Sequence, residues 1–139
     1  MSSNRRAHWG FWAIGALALI WNLAGCVNFV VQLDPEVLSH YRPAEQAIVA
    51  GRPLWATAGF GLGVFGGAAG SLMLLLRLKA AFHVFVLSLL GVVVTMVHTL
   101  GSGIAFGPGE IVGIIVAPVA VSAFLVWYSR YAQRQNREF

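Results

Sequence analysis

The chain has 139 residues, of which 58% are hydrophobic and only 10% charged. A soluble domain carries about 25% charged residues, so this inventory cannot cover a surface that faces water. The net charge of +4 does not point to nucleic acid, because the basic residues flank apolar runs instead of forming one patch, and the single cysteine excludes an internal disulfide or a CxxC redox pair.

Four apolar runs organise the sequence, at about residues 9–31, 54–76, 80–100 and 111–128. A helix rises ~1.5 Å per residue and a bilayer core is ~30 Å thick, so each run is about one crossing long. The expected fold is an all-α membrane protein, a single-domain four-helix transmembrane bundle embedded in the lipid bilayer. Arg5, Arg6, Arg77, Lys79, Arg130, Arg134 and Arg137 fall on one side of that topology, and Arg42 and Arg52 on the other. Seven against two places both termini in the cytoplasm and the 33–53 connection outside.

The first run begins after MSSNRRAHW and passes through Leu23-Ala24-Gly25-Cys26, which fits the pattern of a bacterial lipobox. The run continues through Val27, Phe29, Val30 and Val31, whereas a cleaved signal peptide has a short apolar region of ~7–15 residues. An uncleaved first span beginning at or near Met1 is therefore expected. In the 33–53 connection, Asp34-Pro35-Glu36 has the form of a helix start: a capping acid, proline at the first position and an acid in the first turn. Pro43 to Ala50 suits a second short helix that Gly51 can end in the left-handed conformation. The two helices are either a solvated connector, the simpler reading, or a lid over the bundle mouth.

In span two, Gly59, Gly63 and Gly67 recur every four residues, as do Gly66 and Gly70. Such a face lets another helix approach closely. Span one, span four or a second copy of the chain can fill it. Span four carries Gly113 and Ala117 at the same spacing, and Pro118, which is expected to kink it.

No Asp, Glu, Lys or Arg lies near the centre of a span, so the essential carboxylate of small four-helix multidrug exporters is missing. Polar residues nevertheless form stripes. On span one Asn22, Asn28 and Gln32 share an arc of ~120°, and on span three Thr95 and His98 lie with Ser88, Thr99 and Ser102. Glu110 opens span four at the same level. These residues make a candidate polar site in the outer half of the bundle, with His98 pointing inward to reach Asn28, Gln32 or Glu110. His98 is its one group with an unperturbed pKa of ~6.5. The simpler reading is interhelical hydrogen bonding. His83 and His98 have the separation of a two-haem helix, but no other span offers a histidine, so neither cofactor nor metal is expected. No catalytic motif appears, and the protein is not expected to be an enzyme.

Trp21-Asn22-Leu23-x-Gly25, Pro53-x-Trp55-Ala56-Thr57-Ala58, Val64-Phe65-Gly66-Gly67, Leu74-Leu75-Leu76-Arg77 and Ser88-Leu89-x-Gly91 form a pattern across about Trp9 to Leu100. The pattern resembles a set of short bacterial four-span inner-membrane proteins, usually hypothetical or loosely labelled sugar transporters. The resemblance implies a multi-pass bundle in a bacterial inner membrane and brings no functional residue with it. Two functions are then expected. The first is a structural or interaction role, by self-assembly as a homo-oligomer or docking onto a larger membrane complex through the glycine face. The second is small-molecule or proton-coupled transport through the polar cluster.

Overall fold

The computed structural model describes residues 2–104 and 106–135, with side chains from residue 9 to 134. Among these there are helices and turns but no strand. Helix α1 runs Ser2–Val31, α2 Pro35–Leu38, α3 Pro43–Ala50, α4 Leu54–Leu75 and α5 Ala81–Gly101. A short α6, Pro108–Glu110, leads into a π-helical stretch, Ile111–Val116, and then α7, Ala117–Gln135. Four stretches are long and apolar enough to cross a membrane: Trp9–Val31, Leu54–Leu75, Ala81–Gly101 and Pro108–Arg134. The chain is a four-helix transmembrane bundle.

Helix α4 packs between α1 and α5, and α7 packs on α5. Along α4 the buried face is built mainly from small residues, with Leu74 the large exception, and most large apolar residues face outward. Helix α4 buries Ala56, Gly59, Gly63, Gly67, Ala68, Gly70 and Ser71, while Leu54, Leu62, Leu72 and Leu76 stay exposed. Lipid is as apolar as leucine, so no hydrophobic drive pulls large side chains inward and close backbone packing decides which face is buried.

The glycine face is filled from within the chain, on two sides. A Cβ on Gly63 would lie 2.9 Å from Val92 of α5, and one on Gly67 would collide with the Asn22 side chain of α1. The closest approach of backbone to backbone is at Gly91, where a Cβ would stand 2.6 Å from the carbonyl oxygen of Gly59. Ser88 adds a hydrogen bond across the same interface, its hydroxyl donating to Gly63 O at 2.6 Å. Gly113, by contrast, has open space around it. The expected close approach there does not occur, because Gly113 faces a cavity.

At the end of the bundle near the chain termini, Phe11, Leu74, Phe85, Leu125 and Tyr128 form the core. Gln133 Nε2 donates to Lys79 O at 3.0 Å and ties α7 to the α4–α5 turn. That turn closes as a Schellman motif, with Leu78 N–H on Met73 O and Arg77 N–H on Leu74 O, both at 2.9 Å. Its left-handed position, usually glycine, is held by Arg77 at φ 61°. Pro118 acts as a different kind of break. Without an N–H it cannot serve the carbonyl four residues earlier, and the preceding turn widens to π geometry.

At the opposite end, α2 and α3 form where Asp34-Pro35-Glu36 and Pro43 place them. Asp34 Oδ1 accepts from Glu36 N–H at 3.0 Å. Gly51 ends α3 at φ −95° and not in the left-handed conformation. Arg52 N–H closes the end of α3 on Val49 O at 3.3 Å, and Pro53 caps the start of α4.

Candidate ligand cavity at the loop end

At the end carrying the 33–53 connection, the bundle holds a cavity of about 390 Å³. All four spans contribute walls, and α3 covers it with Glu45, Ile48 and Val49. Its volume falls within the ~300–1,000 Å³ of small-molecule sites. α1 and the π-helical stretch face each other across the cavity, with Trp21, Gly25 and Asn28 on one wall and Gly113, Ile114 and Pro118 on the other. A more open chamber of about 490 Å³ adjoins it, lined by His40, Tyr41, Arg42 and Glu110 and sharing Asn28 and Glu45 with the inner cavity. On the α1–α7 seam lies a third, wholly apolar groove of about 270 Å³ between Ile14, Leu17, Val121 and Leu125; Trp21 belongs to both the groove and the inner cavity.

Arg52 is the cation of the inner cavity. Its Nε donates to Thr57 Oγ1 at 3.2 Å and its Nη2 to Gln32 Oε1 at 3.3 Å. The guanidinium lies 5.0 Å over the Phe60 ring. Burial pushes its pKa below the usual arginine value, yet an arginine stays protonated in proteins. Tyr41 hydrogen-bonds through its hydroxyl to Asn28 Oδ1 and pins the connection onto α1.

The six expected polar residues separate into three groups. Asn28, Gln32 and Thr95 line the inner cavity, and Thr99 joins them. Asn22 lies deeper, buried between α1 and α4, where Nδ2 donates to Ala18 O at 2.8 Å and approaches Ser71 Oγ at 3.5 Å. It is an interhelical packing group. His98 and Glu110 do not line the inner cavity, though Glu110 shares the adjoining chamber with Asn28. His98 Nε2 meets Gly51 O at 3.2 Å and its ring stands edge-on to Trp55, 5.8 Å between centroids. It therefore does not reach Asn28, Gln32 or Glu110. The stripe on α5 is wide enough that Thr95 and Thr99 face inward while His98 turns toward the start of α4. Glu110 Oε1 accepts from Gly107 N–H at 3.1 Å and closes its own first turn.

Arg52 and Tyr41 were not expected in the site. The sequence gives Arg52 a role in orientation alone, although a cation two residues before a span start, with Thr57 and Phe60 in the first two turns of that span, is placed to fold back onto it. Cys26 is buried in the α1–α4 interface, its thiol 3.4 Å from Val64 O within an unbroken helix. Comparison with known protein families, characterised proteins and solved structures gives no match.

Proposed function

We propose that this small integral membrane protein binds a small molecule in the loop-end cavity, as a transporter or capture protein and not as an enzyme. The cavity walled by all four spans supports this reading most directly. Assembly through the glycine face is less favoured, because that face is filled by α1 and α5. Oligomers would have to use the leucine-rich exterior.

The loop end is the outer end in this proposal, on the seven-to-two distribution of Lys and Arg, and the resemblance noted above makes the membrane a bacterial inner membrane. Reporters fused after Phe139 should read cytoplasmic, and reporters inserted near Ser39 external. An external C-terminal reporter would reverse the direction in which the cavity opens.

Binding is tested by thermal stabilisation. A ligand that occupies the cavity raises the unfolding temperature of the purified protein, since it binds only the folded state. Met96 lines the cavity, and Met96→Trp should fill it. A small-molecule screen that stabilises the wild type and not a monodisperse M96W variant supports the reading. A screen with no such compound, or with the same response in both, defeats it.

A further inference from the structure

We infer that the cavity takes an amphipathic anion, its acidic head held at Arg52 and its apolar body lying between α1 and the π-helical stretch. This deepens the ligand-binding reading and rests on it.

The head group follows from Arg52. A guanidinium has five N–H donors. One goes to Thr57 and one to Gln32, and among the described residues no acidic side chain pairs with it. A half-buried cation without a counter-charge is costly, and the free part of its planar fork matches two acidic oxygens. The Phe60 ring beneath it and the Gln32 amide fix the plane in which those oxygens would be met.

The body follows from the walls. Inward of Arg52 the cavity is bounded by Val64, Val92, Met96 and Pro118, and Trp21 joins it to the apolar groove on the α1–α7 seam. Asn28, Gln32, Thr95 and Thr99 offer polar contacts, but the Val64, Val92, Met96 and Pro118 walls offer no side-chain partner to a ligand polar around its whole surface. An apolar chain matches these walls. Glu45 stands where the inner cavity meets the outer chamber, so an anion is repelled there and favoured at Arg52. The same chemistry describes a free fatty-acid-like molecule and an anionic lipid entering from the seam.

The test uses the full chain in phosphatidylcholine nanodiscs, with empty discs subtracted. Binding of decanoate, decanol and decyltrimethylammonium is measured by ligand-observed NMR. Decanoate should bind best. Arg52→Gln should weaken decanoate roughly 10-fold or more, the range for a lost hydrogen bond between charged groups, and leave decanol unchanged. Arg52→Lys, which keeps the charge, should retain part of the preference and covers the case in which R52Q folds poorly. Glu45→Gln should strengthen decanoate binding. Equal binding of decanoate and decanol, indifference to R52Q, or weaker decanoate binding in E45Q overturns the anion inference while the cavity reading stands. No binding by any probe overturns both. Adding phosphatidylglycerol to the discs separates the sources. If it displaces decanoate and co-purifies with the wild type but not with R52Q, the anion is a bilayer lipid; undiminished decanoate binding assigns the site to a free amphiphile.

Discussion

The two ends of this bundle use the same four helices to opposite effect. Near the termini, Phe11, Leu74, Phe85, Leu125 and Tyr128 close the space between α1, α4, α5 and α7. At the loop end, α4 and α5 are still in close contact through Gly59 and Gly91, but α1 and the π-helical stretch stand apart around a cavity. Glycine on both partners lets one pair of backbones touch, while Pro118 and the widened turn before it keep the other pair separate. A transmembrane bundle can therefore be rigid along one seam and hollow along another without any charged residue near its centre.

Breaking the tight seam should have the largest effect. Gly63→Leu with Gly67→Leu drives side chains into Val92 and Asn22. Overpacking costs roughly 1–3 kcal/mol per site, a large part of the about 5–15 kcal/mol that holds a domain, so the double variant should melt far below the wild type. A monodisperse double variant with wild-type thermal stability would show that the α4 face is not packed as described.

A matched pair of alanine substitutions sharpens the contrast. Gly91→Ala places a methyl group 2.6 Å from Gly59 O and 2.8 Å from Gly63 N, both backbone atoms that cannot rotate away. It should destabilise by roughly 1–3 kcal/mol. Gly113→Ala meets nothing within 4 Å. It should be neutral or slightly stabilising, since alanine is favoured over glycine in helices by up to ~1 kcal/mol. Equal melting temperatures for the two would remove the distinction between seams. Asn22→Ala tests the boundary between the two ends. Losing its interhelical contact with Ser71 should cost about 0.6 kcal/mol, the mean for such bonds in membranes, and leave ligand binding intact.

The glycine face of the tight seam was legible in the sequence, but span three as its main partner and the hollow seam were not. Run length and hydropathy place the four spans, and the four-residue recurrence of Gly59, Gly63 and Gly67 marks the face that packs. Asp34, Pro35 and Pro43 announce short helices through local chemistry. Pro118 announces an interruption but not its form, because a kink and a π turn both accommodate a missing N–H. The cavity depends on how far apart α1 and the π-helical stretch stand, and that distance has no local signal. The polar stripe on α5 shows which residues share a face. It does not show which neighbour each one meets near the mouth, where the connection folds back over the bundle.

His98 gives the smallest expected effect and the sharpest test of that placement. The sequence makes it the natural centre of a proton-linked site. The structure places it behind the start of α4, with Nε2 as the donor to Gly51 O and Nδ1 buried without a partner. A histidine there contributes one hydrogen bond and an edge-on contact with Trp55. His98→Phe keeps the aromatic contact, loses the bond to Gly51 O and removes the unpartnered nitrogen, so the two polar changes offset each other. Its stability should differ from wild type by less than about 1 kcal/mol. Ligand binding should also keep its wild-type pH dependence between about pH 5 and 8, because the imidazole does not line the cavity. A binding constant that loses its pH dependence in His98→Phe would return this residue to the site and require the connection over the mouth to move when ligand enters.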